Sequence, residues 1–132
     1  MTPQLWPAFV TLLTVLLMAW TAVLVSKART AFGVPAPAMS GNPVFERCYR
    51  IQMNTMESSL IFLPLVWLAA LYGGGIEIGG AGLVWIAGRV IYVFAYRKDA
   101  AKRGLGFGIA LFATGVLLVD VLFRMGRALL LT

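Results

Sequence analysis

Four long apolar stretches dominate the 132-residue sequence, and they limit its possible folds more than any other feature. They lie at about residues 6–26, 45–72, 81–103 and 105–124. An α-helix needs about 20 apolar residues to cross the hydrocarbon core of a bilayer, because each residue advances the helix by only about 1.5 Å. We therefore predict an all-α integral membrane protein, a four-helix bundle that forms a single domain over residues 1–132.

The composition supports a membrane protein and argues against a soluble domain or a nucleic-acid-binding protein. Hydrophobic residues make up 61% of the chain and charged residues 12%, whereas soluble domains are about half apolar and a quarter charged. The net charge of +6 does not indicate nucleic-acid binding, because the basic residues lie at the ends of the apolar stretches. Cys48 is the only cysteine and histidine is absent, so we expect neither an intrachain disulfide nor a metal.

The basic residues also predict the orientation in the membrane. Those assigned to one side are Lys27, Arg29, Arg47, Arg50, Arg97, Lys98, Lys102 and Arg103. The other side has only Arg124 and Arg127. The positive-inside rule then places both termini on the non-cytoplasmic side. Residues 1–26 carry no charged side chain, and we interpret them as a retained first span and not as a cleaved signal peptide.

The second apolar stretch begins with charged and polar residues that share one helix face. Arg47, Arg50, Asn54 and Glu57 fall within an arc of roughly 80° at about 100° per residue. The same spacing on the third helix gives a second stripe, which consists of Arg89, Tyr92, Tyr96, Asp99 and Arg103. Polar side chains in a membrane helix must face away from lipid. We expect the two stripes to meet each other, another subunit or a water-filled cavity.

Two interpretations of the stripes remain open at this point. The stripes could neutralise one another, for example through a Glu57–Arg89 ion pair, and serve only to fix helix packing. However, the four arginines of the stripes exceed the two acids, Glu57 and Asp99, and Glu46 lies off the stripe. A cationic surplus near the membrane surface favours an anionic ligand, since arginine binds carboxylates through paired hydrogen bonds.

The segment FERCYRIQMNTME (45–57) resembles the signature of the MAPEG family, the membrane-associated proteins of eicosanoid and glutathione metabolism. The family pattern E-R-x-x-R-x-x-x-N-x-x-E is complete here. SKARTAF (26–32) is similar to the basic end of the family's first helix, and GRVIYVFAY (88–96) is similar to the pattern G-R-x-x-[HY]-x-x-x-Y of its third helix. The resemblance implies a homotrimer of four-helix subunits that binds glutathione between neighbouring subunits, near the cytoplasmic face.

Carried over by position, the resemblance also implies roles for individual residues. The implied glutathione contacts are Arg29, Arg47, Arg50, Gln52, Asn54, Glu57, Tyr92 and Tyr96. Arg103 would be the catalytic residue, because an adjacent cation stabilises the glutathione thiolate. Glu46, Arg89 and Asp99 would form the surrounding charge network.

Ser58 stands where some eicosanoid-forming members of the family have a tyrosine that contacts glutathione, and Tyr92 and Gly104 stand where others have a histidine and a serine proposed to assist catalysis. These differences argue against either eicosanoid reaction. We therefore expect a membrane glutathione transferase that conjugates glutathione to hydrophobic electrophiles, with possible peroxidase activity on lipid hydroperoxides. One alternative is a non-catalytic lipid-binding member of the family. Another is a small proton-coupled exporter that uses Glu57, although the arginine and asparagine neighbours of Glu57 disfavour proton coupling.

Overall fold

Four α-helices follow one another along the chain, and each is long and apolar enough to cross a membrane. In a computed structural model, which describes residue 2 and residues 4–132, the elements are α1 (Leu5–Phe32), α2 (Pro43–Leu71), α3 (Ile76–Lys98), a 3₁₀ helix (Ala100–Arg103) and α4 (Gly104–Leu130). No strand occurs in these residues. The predicted all-α, four-helix membrane fold is confirmed.

The ends of the first two helices follow from local sequence. α1 continues past the basic residues to Phe32 and ends at Gly33, which has φ 64° and whose N–H bonds to the carbonyl of Arg29. This left-handed conformation is one that glycine adopts without strain. Asn42 caps α2, since its side-chain oxygen accepts hydrogen bonds from the backbone N–H groups of Val44 and Phe45. Pro43 occupies the first turn, where its missing N–H costs nothing.

The third helix differs from the predicted span at 81–103. It begins at Ile76, because the carboxylate of Glu77 accepts a hydrogen bond from Gly75 N at 2.8 Å and the glycines that follow are helical. It ends at Lys98, because Asp99 adopts an extended backbone with φ −156° and ψ 120°. Asp99 and Arg103 are therefore not part of α3, and the expectation that this helix continues through residue 103 was wrong.

The helices pack through aromatic stacking in the core and through glycines where two backbones meet. Phe62 of α2 and Trp85 of α3 stack with ring centroids 4.7 Å apart, and both are fully buried. α3 and α4 form the most extensive helix pair. A Cβ atom at Gly88 would lie 2.7 Å from the backbone nitrogen of Ala110, and one at Gly106 would meet the backbone of Tyr92. The α3–α4 contact therefore requires glycine on both sides.

The outer surface of the bundle is apolar over most of its length. Large side chains such as Leu60, Ile61, Phe112 and Leu122 are each more than 60% exposed. A soluble monomer rarely exposes such a continuous apolar surface. The exterior is therefore suited to contact with lipid or with another membrane subunit.

Candidate functional site

A cavity of about 260 Å³ lies between α2, α3 and α4, and part of the predicted polar stripe lines it. α2 contributes Asn54 and Glu57 to its wall, and α3 contributes Arg89. Asn54 is half-buried and its Oδ1 has no hydrogen-bond partner among the residues that the structure describes. The cavity thus combines an amide, a carboxylate and a guanidinium at one place within an otherwise apolar bundle.

Arg89 is the most unusual residue of the cavity, because its side chain is 0% exposed. Its Nη2 donates a hydrogen bond to the hydroxyl of Thr55 at 2.8 Å. Its Nε and Nη1 are buried and have no partner within the described part of the chain. Glu57 lines the same cavity, yet the two side chains form no ion pair. The suggested Glu57–Arg89 neutralisation is thus absent, and a buried cation is left without an anion.

Arg89 begins a row of stacked cations and aromatic rings that runs toward the 3₁₀ helix. Its guanidinium carbon lies 4.1 Å from the ring centroid of Tyr92, and the rings of Tyr92 and Tyr96 are 5.4 Å apart. The guanidinium carbon of Arg103 lies 5.8 Å from the ring centroid of Tyr96. These distances are within the range of cation–π and aromatic contacts. The row keeps these four residues together although α3 ends before Arg103.

The break in α3 places Arg103 on a short separate element. Asp99 Oδ1 accepts a hydrogen bond from Ala101 N at 3.0 Å and so caps the 3₁₀ helix. Arg103 is exposed, and its Nη1 donates to the carbonyl of Ala100 at 2.8 Å. Asp99 therefore serves the backbone turn, whereas Arg103 presents a cation at the end of the aromatic row.

Arg29 lies elsewhere in the subunit, in the last turn of α1. Its Nη1 donates to the carbonyl oxygens of Ala38 at 2.7 Å and Val34 at 3.4 Å, and its guanidinium lies 4.7 Å from the ring centroid of Phe45. Arg29 thus ties the connection between α1 and α2 to both helices. It does not line the cavity that contains Arg89.

The remaining predicted residues lie on α2, outside the cavity wall. Arg50 is exposed, whereas Glu46, Arg47 and Gln52 are half-buried. The Nε of Arg47 is buried without a hydrogen-bond partner in the described residues. The subunit therefore brings Asn54, Glu57 and Arg89 together, and the other predicted residues of α2 and Arg29 do not line this cavity.

Sequence reasoning missed several residues of the cavity. Thr55, which binds Arg89, is fully buried next to Asn54. Thr55 supports Arg89 from behind the cavity wall, and the missed residues of the wall itself are Ser58, Ile61, Phe107, Leu111 and Thr114. The last three follow helical spacing along α4, and this spacing predicts a shared face. It does not reveal that this face is turned toward α2, because that depends on the arrangement of the bundle.

The arrangement is chemically suited to an anionic ligand with an apolar neighbour. Two of the three nitrogens of the Arg89 guanidinium are free to donate, Arg103 is exposed, and Glu57 can accept from an ammonium group. Phe107, Leu111 and Ile61 form an apolar wall beside these groups. A ligand that carries both carboxylate and ammonium groups would match the donors and acceptors, and an apolar molecule would match the adjacent wall.

Comparisons with known proteins agree with this architecture. The MAPEG family model matches residues 7–123. An uncharacterized protein of Synechocystis sp. is 39% identical over 121 residues, which cover 92% of this chain and 88% of that protein. Microsomal glutathione S-transferase 2 of Homo sapiens is 38% identical over 104 residues, covering 79% of this chain and 71% of that protein.

A third relative, leukotriene C4 synthase of Bos taurus, is 40% identical over 96 residues. These cover 73% of this chain and 64% of that protein. The family match extends over most of the sequence and includes α2, α3, the greater part of α1 and α4, and the residues that line the cavity. The chain therefore belongs to the MAPEG family.

Proposed function

We propose that this protein is an integral-membrane glutathione transferase that joins the glutathione sulfur to hydrophobic electrophiles. The observation that carries the proposal is the buried Arg89, whose Nε and Nη1 have no partner in the described residues and which shares a cavity with Asn54 and Glu57. Membership in a family with a relative named microsomal glutathione S-transferase 2 supports glutathione as the ligand.

Glutathione matches the charges around the cavity. Its two carboxylates suit arginine side chains, and we assign Arg29 and Arg50 to them. Its ammonium group suits the carboxylate of Glu57, and its peptide groups suit Gln52 and Asn54. Tyr92 and Tyr96 would border the peptide, with Arg47 as a further cationic contact. Arg89 retains free donors for the ligand. It forms no ion pair with Glu46 or Asp99 in the described residues, so a supporting charge network of the three would form only through the ligand or a neighbouring subunit.

Arg103 would act on the thiol. The thiol proton leaves to solvent, and the cationic guanidinium stabilises the thiolate that remains. The thiolate sulfur then forms a bond to an electrophilic carbon, and the leaving group departs with its electron pair. With a chloronitrobenzene the leaving group is chloride. The apolar wall formed by Ile61, Phe107 and Leu111 would hold the ring of such an electrophile.

We further propose that the working form is a homotrimer with the ligand between subunits. Arg29 and Arg50 do not line the cavity of their own subunit, so a neighbouring subunit would have to supply these contacts. The apolar exterior is suited to such an association. The positive-inside rule supports an orientation in which both termini are non-cytoplasmic and the site is close to the cytoplasmic face.

The decisive experiment compares Arg103→Ala with Lys102→Ala, which removes a neighbouring exposed cation of the same 3₁₀ helix. We expect Arg103→Ala to abolish the thiolate difference absorbance of bound glutathione and to lower conjugation of a chloronitrobenzene by roughly 100-fold. Lys102→Ala should retain both signals. Wild-type rates in Arg103→Ala would exclude the role of Arg103.

Glutathione binding tests the larger claim. Solubilised wild-type protein that binds no glutathione in a saturable manner would refute the transferase assignment. Tight fatty-acid binding without any thiolate signal would instead favour a non-catalytic lipid-binding protein. Proton-driven export from vesicles that depends on Glu57 would favour the exporter.

A further inference from the structure

A second cavity, of about 300 Å³, lies at the end of the bundle where α2 begins and α3 ends. Its lining residues are Val44, Cys48, Phe94, Arg97 and Lys98. It shares none of these residues with the cavity that contains Arg89, and the proposed transferase mechanism uses none of them. We call it the basic groove.

The basic groove has two chemically different parts. Val44 and Phe94 are partly exposed apolar side chains, and Cys48, which is only 5% exposed, also lines the groove. Arg97 and Lys98, both exposed, supply two adjacent positive charges in the last turn of α3. Phe94 lies about one helical turn further into the apolar span than Lys98. A molecule bound here would meet cations at one end and an apolar surface at the other.

The two cations have no partner of opposite charge within the described residues. Among the described residues, the salt bridges are those of Arg124 with Glu77 and Asp120, and none involves Arg97 or Lys98. Asp99 follows Lys98 directly, but its side chain is turned to the backbone of Ala101. Arg97 and Lys98 therefore remain available to an external anion.

The position of the cations in the helix restricts the class of anion. Between the buried Arg89 and Arg97, α3 carries no charged residue, and the basic residues of its last turn mark the level where the span meets the membrane surface. Anionic lipids attract basic residues at this level, and basic pockets between membrane helices bind lipid headgroups. A small soluble anion would use the cations but would leave Val44 and Phe94 unoccupied.

We propose that the basic groove binds an anionic phospholipid. Its phosphate contacts Arg97 and Lys98, and the first part of one acyl chain lies against Phe94 and Val44. The ligand is a lipid without a compensating positive charge in its headgroup, such as phosphatidylglycerol. Phosphatidylcholine carries a quaternary ammonium group, which would lie near the two cations and weaken binding.

Native mass spectrometry of the purified full-length protein tests this proposal. Phosphatidylglycerol, phosphatidylcholine with identical acyl chains, and inorganic phosphate are titrated separately. The double variant Arg97→Gln/Lys98→Gln is compared with Lys27→Gln/Lys102→Gln, which removes two basic residues outside the groove. We expect phosphatidylglycerol to bind the first double variant roughly 30-fold more weakly than wild type, and the control to stay within about threefold.

The alternative outcomes are distinct. Equal affinity for phosphatidylglycerol and phosphatidylcholine, or an equal loss in both double variants, would overturn the proposal. Inorganic phosphate that binds as well as the lipid would replace it with a simple anion site. Glutathione binding is measured on the same variants and should be unchanged, so the result is independent of the transferase assignment.

Cys48 gives a second measurement that does not depend on substitution of the cations. It is the only cysteine of the chain and it lines the groove. The rate of its alkylation by N-ethylmaleimide therefore measures how accessible the basic groove is. In wild-type protein, saturating phosphatidylglycerol should slow alkylation by roughly tenfold relative to phosphatidylcholine, because the bound lipid covers the thiol. Equal alkylation rates with the two lipids would contradict the proposal even if the variants proved unstable.

Discussion

Arg89 and Arg124 show two different ways of placing an arginine in the same membrane bundle. Arg124 Nη2 contacts Glu77 Oε1 at 2.6 Å, and its Nε contacts Asp120 Oδ2 at 2.8 Å. Arg89 is buried more deeply but has only the hydroxyl of Thr55 and the ring of Tyr92. Arg124 is paired with two carboxylates of the chain, whereas Arg89 retains hydrogen-bond donors without a partner in the described residues.

The difference suggests a division of tasks. Arg124 connects α4 to the first turn of α3 and to its own helix, so its partners are structural. A buried cation without an anion costs folding free energy, and such a cost is typical of a site that binds a ligand. We therefore expect substitutions at Arg124 to affect stability, and substitutions at Arg89 to affect ligand binding.

The largest effect should come from the scaffold that both arginines share. Gly106→Val would force a side chain into the backbone of α3 at Tyr92 and Gly88, at a cost of about 3 kcal/mol. Thermal unfolding in detergent measures this loss of stability. Gly108→Val is the matched control, because a Cβ atom at Gly108 meets no described atom within 4 Å. Equal stability of the two variants would show that the α3–α4 contact is not close.

Arg89→Met should weaken glutathione binding by about 2 kcal/mol, which is roughly 30-fold. The variant should unfold at the wild-type temperature or above it, because an apolar side chain of similar size removes the unpaired buried charge. Isothermal calorimetry and thermal unfolding measure the two quantities. A strongly destabilised variant with unchanged affinity would reverse the assignment of Arg89.

Arg124→Met should have the opposite profile. It leaves Glu77 and Asp120 without their cation, and we expect a loss of about 1–2 kcal/mol in unfolding free energy, since the three side chains are partly exposed. Additional Glu77→Gln and Asp120→Asn substitutions should recover part of the loss. Glutathione affinity should not change, and a reduced affinity would show that the two ends of the bundle are coupled.

The smallest effect is expected at Ser58, which lines the cavity but also accepts a hydrogen bond from the buried indole of Trp85 at 3.2 Å. Ser58→Ala leaves that N–H unpaired, at a cost of about 1 kcal/mol, with unchanged glutathione affinity. Ser59→Ala is the control, because the Ser59 hydroxyl bonds only to the carbonyl of Met56 within α2. Similar unfolding temperatures for the two variants would rule out a structural role for Ser58.

Much of the fold was predictable because membrane spans are specified by length and hydropathy. Helical periodicity also placed Arg89, Tyr92 and Tyr96 in one row, and the stacking distances agree with that order. The break at Asp99 was not predictable from periodicity, because the spacing continues unchanged through Arg103. The hydrogen bond from Ala101 N to the Asp99 carboxylate caps the 3₁₀ helix that replaces the next turn of α3.

The side of the cavity that α4 forms was harder to predict than the polar side that α2 forms. Asn54 and Glu57 share a face by spacing alone, whereas Phe107, Leu111 and Thr114 reach them only through the packing of α4 on α2. The Glu77–Arg124 contact joins residues 47 positions apart and likewise depends on the bundle. Single-helix patterns define faces, and the neighbours of each face are set by tertiary packing.

The glycine contact between α3 and α4 has a consequence for how large molecules enter the cavity. Backbone atoms meet at Gly88 and Gly106, so no side chain there can rotate to make room. These two helices should therefore move as one rigid unit. The seam between α2 and α4 is instead lined by side chains with several rotamers, including Ile61 and Leu111. A bulky apolar substrate that arrives from the lipid would pass through this seam, and its size limit would be set there.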